Sequence, residues 1–187
     1  MVYTQMTMKA LKFAYNAHSE QVDLNDIPYI FHPYHLAEQM DDEISCTVAL
    51  LHDVVENTKI TLEDLKPEFP HEVVEAVAIL THDESVNYFE YIKGIKVNPV
   101  ALKVKLAGLA HNSDDSRWIG TTHIEELDFS RRKERYLKAK EILLNKQNFA
   151  VIGVTTNQEK YGYKIYQRLK KLNKNVYGVS PIYNELN

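Results

Sequence analysis

The apolar run Val48-Ala-Leu-Leu51 ends in an adjacent histidine and aspartate, His52-Asp53, and Glu56 and Asn57 follow closely. Residues three and four apart share a helical face, so positions 52, 53 and 56 fall within one turn at the polar end of an apolar stretch. Imidazole and carboxylate are ligands for borderline and hard divalent metals, and one helical turn can aim both at a single ion. The dipeptide alone is not diagnostic, because His82-Asp83 follows a comparable apolar run from Val73 to Leu80. The first pair is set apart by His32, upstream in Tyr29-Ile-Phe-His32-Pro33. Downstream it is matched by Lys103-Val-Lys105-Leu-Ala-Gly108-Leu-Ala-His111-Asn112.

Around these stretches the chain reads as helices. Met8, Leu11, Ala14, Tyr15 and His18 recur at helical spacing over 5–18, and a turn-rich segment follows at 21–28. Pro33 suits the first turn of a short helix through Met40, which puts His32 at a helix entrance. Asp41, Asp42 and Glu43 complement the dipole of a third helix over 43–56 that carries the His-Asp pair. Thr61–Asp64 resembles a capping box, starting a short helix that ends before Pro67. Pro70 opens the next helix, and Val73, Val74, Val77 and Leu80 form its apolar stripe. A tyrosine-rich helix is expected over 86–97, one from Asn98-Pro99 through His111, and, after a loop around Gly120, a basic one over 128–146. Then the pattern changes to strand (149–154), helix (161–172) and strand (175–181), a βαβ unit. The expected fold is mainly α: a multi-helix bundle over 1–146 with a short C-terminal βαβ extension over 147–187.

A chain of 187 residues holds one domain, or one plus a fragment. Its net charge of −4 argues against a nucleic-acid surface, which carries a basic footprint. The single cysteine, Cys46, excludes an internal disulfide and reads as a buried thiol. The first residues lack a signal-peptide layout, and no apolar run reaches the ~18 residues of a membrane helix. A cytoplasmic protein is expected, with a small-molecule partner rather than nucleic acid or membrane; homo-oligomerisation is left open.

Three stretches in register, Pro28-Tyr-Ile-Phe-His-Pro33, Ala49-Leu-Leu-His-Asp-Val-Val-Glu56, and Val104-Lys-Leu-Ala107 followed by His111-Asn112, resemble the HD-domain metal phosphohydrolases. The branch they resemble is that of the RelA/SpoT-type ppGpp hydrolases and small alarmone hydrolases, over about residues 8 to 140. The resemblance implies a helical HD domain that holds Mn²⁺ with two histidines and two aspartates. His32, His52 and Asp53 match three of the ligands; the fourth position is Gly108, which implies a weakened site completed by water, with Asp114 or Asp115 as the alternative stand-in. It also implies a carboxylate pair that positions and deprotonates the attacking water. Glu56 matches the first of these, but at the second stands Asn57, which orients a water without taking its proton. Tyr29, Lys105, His111, Asn112 and Arg117 are the expected substrate contacts, with Lys103 a further candidate, while Arg131 to Arg135 read as a solvent-facing stripe. The implied reaction is removal of the 3′-pyrophosphate of (p)ppGpp. The alternative is a catalytically impaired HD domain that serves as a nucleotide-binding or protein-interaction regulatory module. Residues 147–187 resemble the opening of CoA-binding Rossmann-like domains, through Ala150-Val-Ile-Gly-Val154, Lys160-Tyr-Gly-Tyr163 and Val179-Ser-Pro181.

Overall fold

All seven side chains from Ser45 to Leu51 are buried, so the helix that carries them, α3 (Glu43–Leu51), has no solvent face. A helix apolar on every side belongs at the centre of a bundle. Around it the computed structural model, which describes residues 1–117, 123–144, 148–172 and 174–180, packs α1 (Gln5–Ala17), α2 (Phe31–Glu38), α6 (His71–Leu80) and α8 (Pro99–Asn112). Short helices α4 (Val54–Asn57), α5 (Leu62–Leu65) and α7 (Tyr88–Ile95) complete the layer. A 3-10 turn at Asp115–Arg117 leads towards α9 (His123–Leu144). Leu36, Leu50, Leu51, Val73, Val77, Ile92 and Val104 fill the core, and Ala139 and Leu143 attach the end of α9 to it. Cys46 is a free, buried thiol. Among the described residues no helix is long and apolar enough to cross a membrane.

The helix expected over 43–56 is two helices. α3 stops at Leu51, and the chain turns at His52-Asp53 before α4 resumes at Val54. The apolar pattern runs on through Val54 and hides the break. Its cause is polar: the His52 Nδ1–H donates to the Ala49 carbonyl at 2.8 Å, and Asp53 sits at φ −99°, ψ −4°, in the bridge region. The basic helix likewise begins at His123 rather than 128, and the expected loop around Gly120 lies outside the described residues.

Asp42 starts α3. Its carboxylate accepts from the Ser45 backbone N–H at 2.8 Å and the Ser45 hydroxyl at 2.5 Å, and it pairs with Lys103 at 2.9 Å. Partial burial works against its charge, but these bonds outweigh it and hold the carboxyl down at about 2. Asp42→Ala is expected to cost about 1 kcal/mol, the usual loss for a helix N-cap. A carboxylate with a depressed folded-state pKa stabilises above its unfolded value and stops doing so as pH falls through the folded one. The difference in Tm between parent and variant should therefore shrink from pH 3.8 down towards 2.

The chain divides into two units, Met1–Leu143 and Leu144–Asn187. In the second, β1 (Asn148–Ile152) pairs in parallel with β2 (Asn175–Val179), from Asn148↔Asn175 to Ile152↔Val179. The crossover helix α10 (Tyr161–Lys171) covers one face, with Tyr166 packed on Val151 and Val154. The turn out of β1 needs its glycines: Gly153 has φ 78°, and a Cβ on Gly162 would lie 2.7 Å from the Gly153 carbonyl oxygen. Pro181, the last residue of the Rossmann-like resemblance, lies outside the described residues.

Candidate active site

His32 comes from the first turn of α2, where Pro33 is tolerated because its missing N–H has no intrahelical partner to lose. The His52-Asp53 turn faces it. Nε2 of His52 lies 3.1 Å and Nε2 of His32 3.7 Å from Asp53 Oδ2, and ligand atoms of all three residues lie within 4.8 Å of one another. Among the described residues this is the one cluster of three or more such side chains able to hold a metal ion.

Hydrogen bonds set the tautomers. His52 Nδ1 must carry a proton, because its partner is a carbonyl. Arg117 only donates, and its Nη1 lies 3.2 Å from His111 Nδ1, so that nitrogen presents its lone pair. His32 Nδ1, 2.7 Å from the same atom, then supplies the proton between the two rings. His32 and His52 are thus both turned with Nε2 towards Asp53, as outer partners orient histidines at metal sites. Burial and the nearby His52 hold the His32 imidazole down at about 3, and burial with Arg117 holds His111 at about 4, so both rings are neutral. His52 differs. Burial opposes its charge, but the adjoining Asp53 carboxylate prevails and raises its pKa. Asp53 is in turn held well below the usual carboxylate range: burial would raise it, and His52, His32 and Tyr29 outweigh that effect.

Asp53 is fixed from its other side. The Tyr29 hydroxyl donates to Asp53 Oδ2 at 2.5 Å and accepts from Asn57 Nδ2 at 3.1 Å. Gln21 ties the preceding loop to the same place, accepting from His18 Nδ1 at 2.7 Å and donating to the Asn57 carbonyl at 2.6 Å. His32 with a free Nε2 lone pair, the ionised Asp53 carboxylate, and His52 once it gives up the proton it shares with Asp53 fit a divalent ion. Tyr29→Phe is expected to weaken Mn²⁺ binding about tenfold or more, as loss of outer-partner bonds does. Titration of free Mn²⁺ by electron paramagnetic resonance (EPR), with circular dichroism as a fold control, checks this; unchanged affinity contradicts it.

The cluster opens into a cavity of about 280 Å³. It is lined by His32, His52, Asp53, Glu56, Asn57 and Gly108, and by Lys105, His82, Tyr88, Arg135 and Tyr136. Glu56 Oε2 accepts from the His82 backbone N–H at 2.9 Å, which aims the carboxylate. Lys105 lies over the Tyr91 ring with Nζ 3.0 Å from its hydroxyl, and that hydroxyl donates to the Leu80 carbonyl. Burial lowers the Lys105 pKa, with Asp53 and Glu56 opposing the shift. Arg135 stacks over Tyr88 and Tyr136 at 5.0 and 5.5 Å. A second cavity, about 360 Å³, shares Tyr29, His32, Asn112 and Tyr136 with the first and is lined further by Asp23, Asn25, Arg117, Phe129 and Arg132.

Of the expected substrate contacts, Tyr29 and Asn112 line both cavities, Lys105 the first and Arg117 the second. Arg117 is already paired with Asp23 at 2.9 Å. His111 lines neither cavity and is engaged with His32. Lys103 is bound to Asp41 and Asp42 at the start of α3. Neither stand-in for the fourth ligand joins the cluster: Asp114 accepts from Ser116 N–H at 2.9 Å, and Asp115 pairs with Lys133 at 2.5 Å. The stripe Arg131 to Arg135 is not wholly solvent-facing. Arg132 and Arg135, three residues apart, share a helix face with Phe129 and Tyr136 and line the cavities. His82, Asp23 and Tyr88 are further cavity residues that sequence spacing did not reveal.

The HD-domain family profile matches residues 10–100. The human guanosine-3′,5′-bis(diphosphate) 3′-pyrophosphohydrolase MESH1 is 33% identical over 122 residues, 58% of this chain and 68% of that protein. The enzyme of the same name from Aquifex aeolicus is 30% identical over 122 residues, 59% of this chain and 18% of that one. The chain spans less than a fifth of the length of this enzyme and of the relatives from Mycobacterium leprae and Synechocystis. A solved structure described as a metazoan ortholog of SpoT that hydrolyzes ppGpp superposes with a TM-score of 0.58 at 24% identity, over 76% of this chain and 94% of that one, a likeness of fold.

Proposed function

Since the chain belongs to the HD-domain family that includes human MESH1, we propose that it is a metal-dependent phosphohydrolase that removes the 3′-pyrophosphate of guanosine 3′,5′-bis(diphosphate). The observation that carries the reading is the convergence of His32, His52 and Asp53 beside Glu56 in one cavity that Lys105 and Arg135 also line. A bound divalent ion, Mn²⁺ in this proposal, supplies Lewis-acid polarisation of a phosphoryl oxygen and acidifies a water. His32, His52 and Asp53 hold the ion, and His111 and Tyr29 keep those ligands in orientation. Glu56, aimed by the His82 N–H, takes the proton of the attacking water. The side-chain Nδ2 of Asn57 is engaged with Tyr29, which leaves its side-chain Oδ1 to orient that water. Lys105 and Arg135 neutralise the pyrophosphate; Lys105 presents a point charge, and Arg135 a planar fork already flattened on aromatic rings. The adjoining cavity, with aromatic Phe129 and Tyr136 and polar Asp23, Asn25 and Asn112, suits the nucleoside. For 147–187 the proposal is a βαβ segment without an assigned ligand.

The test is Mn²⁺-dependent pyrophosphate release from ppGpp by the full chain. Activity that is lost on chelation and regained with Mn²⁺ is expected. Gly108 favours a second reading, a domain that binds the nucleotide without turning it over. Tight ppGpp binding with no pyrophosphate released would establish that reading in place of the first.

A further inference from the structure

Among the described residues, the lysines and arginines that line the two cavities are Lys105 and Arg135 in the smaller and Arg117 and Arg132 in the larger. The pair in the larger cavity differ in what they already hold. Arg117 is committed, with Nη2 paired to Asp23 at 2.9 Å and Nη1 engaged by His111. Arg132, half-buried on α9, spends only its Nε, on the Asp128 carbonyl at 3.3 Å, so its terminal nitrogens are left to donate. Among the described residues it forms no ion pair, although its neighbours do, Arg131 with Asp128 and Lys133 with Asp115. The carboxylates of the same cavity are Asp23 and Asp114, and the loop 21–28 that brings Asp23 carries no Lys, Arg or His. Two carboxylates and two guanidiniums cancel. Without Arg132 the lining would be net negative and would repel phosphate.

We propose that Arg132 is a specificity-determining residue that recognises phosphate at the 5′ end of the nucleotide. The inference rests on the reading above, in which the 3′-pyrophosphate occupies the smaller cavity and the nucleoside the larger. Base and ribose are neutral, so an unpaired guanidinium in the nucleoside cavity has only a second phosphate to neutralise. Its planar fork suits two phosphate oxygens at once. Arg132 and Arg135, three residues apart, lie on one face of α9, one in each cavity. That face presents one cation to each end of a nucleoside phosphorylated at both 3′ and 5′ positions. The chain therefore discriminates against nucleotides phosphorylated on the 3′ side alone.

The experiment compares binding of ppGpp with that of guanosine 3′-diphosphate, which lacks the 5′ phosphates. It uses calorimetry on the full chain with Mn²⁺ at low ionic strength, in the Glu56→Gln background to slow turnover, with and without Arg132→Gln. Where turnover persists, KM values give the same comparison. With Arg132 in place, ppGpp should bind about tenfold more tightly, the scale of one charge-assisted contact. Arg132→Gln should erase that preference by weakening ppGpp while guanosine 3′-diphosphate binds as before. Arg132→Lys, which keeps the charge without the fork, should retain part of it. Added salt should shrink the preference, since an exposed phosphate contact is screened. Equal binding of the two nucleotides before Arg132 is changed overturns the proposal alone. So does a preference that survives Arg132→Gln, or a loss that falls on both nucleotides alike, as a structural role or a contact to the base would give. Binding of neither nucleotide overturns the nucleotide reading, and the role of Arg132 with it.

Discussion

Asp53→Ala is expected to lower Mn²⁺-dependent pyrophosphate release about 10³-fold, since Lewis-acid stabilisation is worth several kcal/mol and each ~1.4 kcal/mol is a factor of ten. The variant removes the one carboxylate of the ligand cluster, so retention of Mn²⁺ should fall with the activity. The apo protein should suffer as well. His52 loses the charge that raises its pKa and reverts to a buried neutral ring, and the Tyr29 hydroxyl loses its acceptor. A buried donor left without a partner costs about 1–3 kcal/mol, so Tm should drop by several degrees while the helical circular dichroism is kept. Three measurements on one variant therefore have to move together. Activity within tenfold of the parent, with Mn²⁺ retained, would place the chemistry on other residues.

The bundle and its βαβ tail were readable because both rest on local periodicity: Val73, Val74, Val77 and Leu80 declare a helix face within ten residues, and the β-branched run in 149–154 a strand. That strand falls at Asn148–Ile152 with Val151 buried but Ile152 exposed, so the apolar run marked the strand and overstated its burial. The ligand candidates were readable for a related reason, since His52 and Asp53 adjoin and His32 precedes a proline that marks a helix start. What escaped depends on distance along the chain. His111 engages His32 across 79 residues, and no spacing rule announces that two rings so far apart will share a proton. The break at His52-Asp53 was masked by Val54 and Val55, which prolong the apolar pattern while a side-chain bond to Ala49 ends the helix. Arg132 and Arg135 looked solvated because a helical stripe of charge is usually solvated; only the approach of Tyr88 and Tyr136 turns Arg135 towards the cavity.

The divided helix has a consequence for the chemistry. Had 43–56 been continuous, His52, Asp53 and Glu56 would be tied to one rigid rotation about one axis. The turn instead sets His52 on the end of α3 and Glu56 on α4, so the candidate ligand and the proposed base take their orientations from different contacts, Ala49 for one and the His82 N–H for the other. Metal retention and proton transfer should be separable by mutation.

Glu56→Gln makes that separation. The amide keeps the size of the carboxylate and an oxygen to accept from the His82 N–H, but it cannot take a proton at neutral pH. Loss of a positioned general base commonly costs 10²–10⁴ in rate, so kcat should fall about a thousandfold. Mn²⁺ affinity should stay near the parent value, because Glu56 is outside the ligand cluster. KM for ppGpp should likewise change little if the phosphates are held by Lys105 and Arg135. Asp53→Ala and Glu56→Gln would then be equally slow for different reasons, one without its ion and one with the ion in place. A Glu56→Gln enzyme with undiminished kcat would move the base to another cavity residue, since Asn57 cannot take the proton and Asp53 is held well below the range in which it would.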